Sequence, residues 1–112
     1  MQRGEIYLVD LNFNVGSEQS GIRPALIVQN ELGNSHSPTT IICPLTSKQK
    51  SSLATHVLLL PEDGVAKEST VLCEQVRVID KTRIKKKLGE VENIQKMEDI
   101  NKKLMLSLGI QI

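Results

Sequence analysis

The chain has 112 residues, which fits a single domain over residues 1–112. Hydrophobic residues make up 39%, charged residues 24% and the formal net charge is only +1, which excludes a uniformly basic nucleic-acid-binding surface. The only aromatic residues are Tyr7 and Phe13, so sites that stack nucleobases on aromatic rings are disfavoured. We find no signal segment and no apolar stretch of membrane-spanning length, and therefore expect a cytoplasmic protein without membrane contact.

Short runs of strand-forming residues fill the first three quarters of the chain. The proline at position 44, inside the third run, indicates an edge strand or a bulge. Polar segments at 30–38 and 47–52 are predicted to be loops. Many short strands at regular spacing predict a small barrel or a sandwich. The predicted strands are 5–11, 25–29, 40–45, 56–60, 70–73, 75–79 and a short one around Ile84.

The last quarter of the chain changes to a helical period. The spacing predicts one helix from Glu92 to Leu108, and Gly109 is suited to end it. The apolar positions with this spacing are Val91, Ile94, Met97, Ile100, Leu104 and Leu108. The fold class is therefore mostly β with a C-terminal helix.

The two cysteines lie far apart, and neither belongs to a spacing typical of metal ligands. Cys43 and Cys73 each sit in an apolar run, so we expect buried, reduced thiols, with a structural disulfide as the less favoured alternative. No metal site and no cofactor are predicted. The sequence leaves open whether the two thiols have a redox role.

A polar segment from Asn12 to Arg23 stands out because long loops in small domains are usually functional or disordered. Its side chains can donate or accept hydrogen bonds, and its glycines allow a close approach of backbone to ligand. From the pattern alone, a solvated hairpin loop with a surface arginine is equally favoured. The segment contains no phosphate-binding or nucleophile motif of a standard type.

Four blocks of sequence, in order along the chain, carry a family resemblance. The first is RGEIY at 3–7, and the second is GSEQSGIRP at 16–24, which leads into an apolar strand. The third is CPLTS at 43–47, and the fourth is EQVRVID at 74–80. Together they resemble the MazF/PemK toxins of type II toxin–antitoxin systems over essentially the whole chain.

The resemblance implies a homodimer with a small SH3-like, CcdB-like β-barrel. It further implies a sequence-specific, ribosome-independent mRNA interferase that cleaves single-stranded RNA without a metal. The expected partner is a cognate, MazE-like antitoxin. RNA supplies its own nucleophile, the 2′-OH, so the expected products carry 2′,3′-cyclic phosphate and 5′-OH ends.

The matched blocks also indicate the site residues. Arg23 and Thr46 occupy the positions of the family's catalytic residues, and the arginine fork suits a phosphate. Glu18 is the carboxylate expected to orient Arg23 or to contact RNA. The other residues expected to bind RNA or to orient groups are Ser17, Gln19, Gln75 and Arg77.

Other polar residues have simpler interpretations. Gln75 and Arg77 are predicted to share one face of a strand, which is either an RNA contact or ordinary solvent-facing surface. His56 and His36 are more consistent with structural or surface histidines than with proton carriers. The basic run 81–87 is more consistent with a solvated charged face than with an RNA-binding patch.

Two alternatives come from different functional classes. A CcdB-like toxin on the same fold poisons gyrase instead of cutting RNA, and it requires neither Arg23 nor Thr46. An SH3-like peptide-binding module requires an aromatic-lined groove, which Tyr7 and Phe13 alone do not provide.

Overall fold

The computed structural model describes residues 1–12, 15–48 and 52–111. Within these ranges, seven strands form one sheet and two helices lie outside it, which confirms a mostly β fold with a C-terminal helix. The strands are β1 Glu5–Asp10, β2 Ile22–Ile27, β3 Thr39–Thr46, β4 His56–Leu59, β5 Ser69–Leu72, β6 Arg77–Asp80 and β7 Ile84–Glu90. The helices are α1 Glu31–His36 and α2 Ile94–Ser107, and 3₁₀ turns occupy Pro61–Asp63, Cys73–Gln75 and Lys81–Arg83.

The sheet is antiparallel and runs in the order β4-β5-β3-β2-β1-β7, with β6 also paired to β3. β3 is therefore an interior strand, and the expectation of an edge position at Pro44 is wrong. β6 pairs with β3 as far as Ile42, and β5 pairs from Leu45 onward. Pro44 lies in the gap between these two partners, a place where a strand tolerates a missing N–H.

Two apolar clusters lie on opposite faces of the central strands, because successive side chains along a strand alternate in direction. The first packs under α2 and the β4–β5 pair, and the second lies among β1, β2, β3 and β6. The main buried members of the first are Ile6, Leu26, Leu45, Val57, Leu59, Val71 and Ile100. Those of the second are Val9, Leu11, Ala25, Ile27, Ile42 and Ile79.

The predicted loop 30–38 contains a short helix, α1, that the sequence analysis missed. Asn30 caps it, since its side-chain oxygen accepts a 2.8 Å hydrogen bond from the Gly33 N–H. Asn34 is buried and accepts a 2.8 Å bond from the Thr40 hydroxyl. Polar hydrogen bonds rather than an apolar face hold this helix, so hydrophobic periodicity could not reveal it.

Arg3 joins three parts of the fold. Its Nε donates to the Val28 carbonyl at 2.8 Å, and its Nη2 donates to Asn101 Oδ1 in α2 at 2.6 Å. Its backbone N–H donates to Glu31 Oε1 of α1 at 3.0 Å. The arginine of the first sequence block therefore connects the end of β2 with both helices.

Cys43 and Cys73 are free and buried, which confirms the expectation of reduced thiols. A hydrogen bond with the Cys73 thiol, together with burial, raises the pKa of Cys43 well above its usual range. Within the described part of the chain, no helix is long and apolar enough to cross a membrane.

Candidate active site

The segment from Asn12 to Arg23 connects β1 to β2; Phe13 and Asn14 lie outside the described residues. Its two ends are closed by backbone hydrogen bonds, from Leu11 N–H to the Gly21 carbonyl and from Gly21 N–H to the Asn12 carbonyl, both 2.9 Å. Gly21 has φ +78°, a left-handed conformation that a residue with a Cβ rarely adopts. The loop is thus a hydrogen-bonded structure that leads directly into Arg23.

Gln75 holds the middle of this loop from outside. Its Oε1 accepts a 2.8 Å hydrogen bond from the Gln19 N–H, and its Nε2 donates to the Ser17 carbonyl at 3.3 Å. Gln75 lies in the 3₁₀ turn Cys73–Gln75, whereas β6 begins at Arg77. The prediction that Gln75 and Arg77 share a strand face is therefore wrong, and Gln75 supports the loop backbone.

Arg23 is half-buried, and its own loop fixes its orientation. Its Nε donates to the Ser20 carbonyl at 2.8 Å, and its Nη1 donates to the side-chain oxygen of Gln19. No described residue accepts a hydrogen bond from Nη2, which is thus left for a ligand. Gln19, itself buried, therefore links Gln75 on one side to Arg23 on the other.

Glu18 lies elsewhere in the loop. Its carboxylate accepts a 3.2 Å hydrogen bond from the Val15 N–H, and its own N–H donates to the Val15 carbonyl at 3.1 Å. Among the ion pairs of residues 1–12, 15–48 and 52–111, none joins Glu18 to Arg23. The residue that orients Arg23 is Gln19 rather than Glu18, and Glu18 and Ser17 are exposed on the outer side of the loop.

Arg23 and Thr46 line the same cavity, which we call the apolar cup. Its volume is about 380 Å³, and it lies where β2 meets the end of β3. Cations and hydroxyls surround an apolar floor, and none of the described residues that line it carries a carboxylate or an imidazole. The floor consists of Ile6, Pro24, Leu45, Val65 and Leu88, and the rim includes Arg23, Thr46, Ser47, Lys48, Lys67 and Ser69.

Thr46 is the last residue of β3 and is only 4% exposed. Its Oγ1 accepts a 3.3 Å hydrogen bond from the Lys48 N–H, which fixes the start of the following turn. The hydroxyl proton can still be donated to a ligand, because a hydroxyl both accepts and donates. Thr46 thus lines the cup together with Arg23 and keeps a hydroxyl proton that a ligand at the boundary of the two cavities can accept.

A second cavity of about 390 Å³ lies on the other side of Thr46, and we call it the polar pocket. The two cavities share Thr46, Ser47 and Lys48, which form the wall between them. The polar pocket is lined by Thr46, Ser47, Lys48, Ser52, His56, Leu58, Glu68 and Thr70. Of the sequence-predicted site residues, only Thr46 reaches both cavities.

Arg77 lies in β6, opposite Ile42 of β3, and lines neither cavity. Ile79, on the same face of β6, is 2% exposed, whereas Val78 is 58% exposed. The face that carries Arg77, expected to point to solvent or RNA, is therefore the more buried face of this strand. The structure brings Arg23 and Thr46 together but leaves Arg77 apart from them.

His56 is held by both of its ring nitrogens. Nδ1 accepts a hydrogen bond from the Leu53 N–H at 3.2 Å, and Nε2 lies 3.1 Å from Glu74 Oε2. Burial raises the pKa of Glu74, but hydrogen bonds from its own backbone, Thr55 and His56 outweigh burial and hold it below the usual range. This agrees with the interpretation of His56 as a structural histidine.

The remaining basic and histidine candidates also have plain surroundings. His36 is exposed in α1, with Nδ1 3.1 Å from the Leu32 carbonyl. In the basic run 81–87, Lys81 donates to the Asn34 carbonyl and Lys87 pairs with Glu5 at 2.7 Å. Lys85 and Lys86 are exposed on β7, as expected of a solvated face.

Lys48 and Lys67 are the site residues that the sequence analysis missed, since both line the apolar cup. Neither lysine lies in one of the four sequence blocks that resemble the family, and isolated lysines are common on protein surfaces. Lys67 is brought to the cup by the long-range pairing of β3 with β5, whereas Lys48 follows the end of β3 directly. In the described ranges, no group of three or more His, Cys, Asp or Glu side chains is placed to hold a metal ion.

The chain matches, over residues 2–108, the sequence model of PemK-like, MazF-like toxins of type II toxin–antitoxin systems. It is 42% identical to the endoribonuclease MazF of Staphylococcus saprophyticus, over 98% of this chain and 92% of that protein. A mycobacterial endoribonuclease solved with its cognate antitoxin has a TM-score of 0.84 and 28% identity, covering 100% of this chain and 98% of that one. MazF from Deinococcus radiodurans gives a TM-score of 0.84 at 27% identity, with coverages of 98% and 97%.

Proposed function

Because the chain belongs to the family of PemK-like, MazF-like toxins of type II toxin–antitoxin systems, we propose that it is an endoribonuclease whose cleavage centre is the apolar cup. It cleaves single-stranded mRNA at specific sequences, independently of the ribosome and of a metal ion. The observation that carries the assignment of the site is that Arg23 and Thr46 line one cavity. The relative from Staphylococcus saprophyticus, which is named an endoribonuclease, supports the activity.

The charges of the cup fit a phosphodiester. Arg23, Lys48 and Lys67 place three cations around it, and no carboxylate among the described lining residues repels a phosphate. The guanidinium of Arg23 is already oriented by Gln19 and Ser20, so little reorganisation is needed when negative charge builds up. Arg23 then acts as the phosphate clamp, with Thr46 as a second donor.

The reaction uses the substrate's own nucleophile. The 2′-OH of the nucleotide before the cut attacks the neighbouring phosphorus, and the bond to the 5′-oxygen of the next nucleotide breaks. The 2′-OH proton is removed, and a proton is delivered to the leaving 5′-oxygen. The products are a 2′,3′-cyclic phosphate and a 5′-OH. Arg23 and Thr46 stabilise the charge of the pentacoordinate intermediate through hydrogen bonds to its non-bridging oxygens.

The proposed protein partner is a MazE-like antitoxin. The mycobacterial endoribonuclease was solved with its cognate antitoxin, and a MazE–MazF complex from Deinococcus radiodurans has a TM-score of 0.78 at 26% identity. We expect the antitoxin to reorder the loop between β1 and β2, because that loop borders Arg23. Hydrogen exchange of residues 15–22 with and without antitoxin tests this, and unchanged protection contradicts it.

The proposed assembly is a cytoplasmic homodimer of one toxin domain spanning residues 1–112. Several large apolar side chains of the C-terminal helix and the residues after it are exposed, which supports burial against a second copy. They are Met105, Leu106, Leu108 and Ile110. Sedimentation equilibrium measures the assembly directly.

An SH3-like barrel is proposed for β1, β2, β3, β6 and β7, which surround the second apolar cluster. Among the described residues, no ladder joins β6 to β7.

The decisive experiment incubates the protein with a long single-stranded RNA in excess EDTA and maps both ends at each cut. We expect cutting to persist, with cyclic phosphate and 5′-OH ends. Thr46→Val keeps the shape of the side chain but removes its hydroxyl, and should slow cutting about tenfold, the effect of one hydrogen bond to a charged group. Loss of cutting in EDTA would contradict the metal-free mechanism. Trapped gyrase–DNA complexes with intact RNA would favour the gyrase-poison alternative, which these relatives do not support.

A further inference from the structure

The segment Lys67–Thr70 includes the start of β5 and lies between the two cavities. Its side chains alternate between them. Lys67 and Ser69 line the apolar cup, whereas Glu68 and Thr70 line the polar pocket. Successive residues of an extended chain point to opposite sides, so this division follows from the backbone. Thr70 pairs directly with Thr46 on β3 and with Leu58 on β4. One row of side chains across three strands therefore forms the floor of the polar pocket.

The two cavities differ in charge. Among the described residues, the apolar cup is lined by three cations and no acid, whereas the polar pocket is lined by one lysine and one carboxylate, Glu68. A phosphate is therefore favoured in the cup and disfavoured next to Glu68. Because both cavities border Thr46, an RNA chain with its scissile phosphate at Thr46 places a neighbouring nucleoside at the mouth of the polar pocket.

The groups of the polar pocket suit the edge of a nucleobase. Its volume of about 390 Å³ lies within the range of small-molecule sites, roughly 300–1,000 Å³. Glu68 is exposed, and no ion pair or hydrogen bond with another described residue occupies its carboxylate. His56 contributes only a wall, because both of its nitrogens are already bonded. Glu68 is thus the strongest acceptor that faces this cavity.

We propose that the polar pocket binds the base of a nucleotide adjacent to the cut, and that Glu68 reads an exocyclic amino group on that base. The inference rests on the proposed ribonuclease function and deepens it by naming a specificity-determining residue. A carboxylate accepts from the amino groups of cytosine, adenine or guanine. Uracil has no amino group, and its edge donor, N3–H, lies between two carbonyl oxygens that the negative charge would repel. The enzyme therefore discriminates against uracil at this one position of its cleavage sequence.

The test compares the wild-type protein with Glu68→Gln on a randomised single-stranded RNA pool. The 5′-OH ends are captured and sequenced, and the preference for amino-bearing bases over uracil is measured at each position beside the cut. The amide of glutamine both donates and accepts, so it tolerates uracil. We expect the preference to fall roughly tenfold at one position, toward the lower end of the discrimination that one good pairing of side chain and base provides.

Glu62→Gln is the matched control, because Glu62 is an exposed acid in the same β4–β5 connection and lines neither cavity. It should leave the preference at every position unchanged. Identical preferences in wild type and Glu68→Gln, or equal relaxation in the control, would overturn the inference while leaving the ribonuclease function intact. Absence of cutting by the wild-type protein would overturn the proposed function and the inference with it. Thermal melting shows whether each variant is folded.

Discussion

Arg3 and Arg23 are both half-buried, but their surroundings differ. Arg3 lies just before β1, and Arg23 lies in the neighbouring strand β2. The partners of Arg3 come from distant parts of the chain, namely Val28 after β2, Glu31 in α1 and Asn101 in α2. The partners of the Arg23 side chain are Gln19 and Ser20 of its own loop, and Arg23 lines a cavity. The origin of its hydrogen-bond partners thus distinguishes an arginine that holds a fold from one that is prepared for a ligand.

The largest expected effect is on cleavage by Arg23→Ala. Removing a preoriented donor from a phosphoryl site should lower the single-turnover rate by about 10²–10³-fold. The melting temperature should change little, since the bonds lost lie within one surface loop. Arg23→Lys keeps the charge but not the planar fork, and we expect it to recover only part of the rate. If Arg23→Ala cut RNA at the wild-type rate, Arg23 would not be part of the catalytic site.

Arg3→Ala should show the opposite pattern. Loss of the two guanidinium bonds to Val28 and Asn101 should reduce the free energy of unfolding by about 2–4 kcal/mol, as measured by urea denaturation. The folded fraction should still cut RNA within a few-fold of the wild-type rate. If Arg3→Ala abolished cleavage while stability stayed unchanged, the contrast between the two arginines would be wrong.

Gln75→Ala tests the link between the loop and the rest of the fold. It removes the acceptor of the Gln19 N–H and the donor to the Ser17 carbonyl. We expect a decrease of about tenfold in the cleavage rate, equivalent to one or two ordinary hydrogen bonds, with faster hydrogen exchange at residues 15–22. Gln95→Ala is the control, because the exposed Gln95 lies in α2, away from both cavities. Equal rates for the two variants would show that Gln75 does not support the site.

The smallest expected effect concerns Glu5 and is a function of pH. A hydrogen bond from Lys87 is the main cause that lowers the pKa of Glu5 below its ordinary value of 4.5. The stabilisation is therefore fully present above about pH 4.5 and is lost as the pH falls through the lower pKa of the folded state. Glu5→Gln should cost about 1 kcal/mol at pH 7, a modest value because the Lys87 side chain is 44% exposed. Urea titrations at pH 7 and pH 3 measure it, and an equal difference at both values would contradict the assignment.

The elements with regular hydrophobic spacing were predictable. The helix expected at 92–108 is found at Ile94–Ser107, and the first six expected strands have counterparts shifted by at most a few residues. The short strand expected around Ile84 is instead the seven-residue strand β7, Ile84–Glu90. Helix α1 was missed because polar bonds to Asn30 and Asn34 hold it instead of an apolar face. Gln75 was misassigned because a 3₁₀ turn interrupts a run that looks continuous in the sequence. The local sequence shows the spacing of apolar residues, which predicts regular elements. It does not show which group accepts a given hydrogen bond.

The candidate site was predictable only in part, for a related reason. Arg23 and Thr46 lie in blocks that resemble the family, and the fold places both at one cavity. The orienting role expected of Glu18 belongs to Gln19, because the loop turns the carboxylate back toward the Val15 N–H. Lys67 and Glu68 point to opposite sides because they are neighbours in an extended segment, and the pairing of β5 with β3 brings these two sides to the two cavities. Contacts of this kind join residues far apart in sequence, and no local pattern records them.

The claim that this site cuts RNA with the substrate's own hydroxyl is tested most directly by a single atomic change in the substrate. Two oligonucleotides that contain one mapped cut site are compared, one natural and one with a 2′-deoxy sugar immediately before the cut. We predict that both bind the wild-type protein with the same Kd and that only the natural one is cleaved. Cleavage of the deoxy substrate at a comparable rate would show that another nucleophile attacks, and would contradict the mechanism assigned to Arg23 and Thr46.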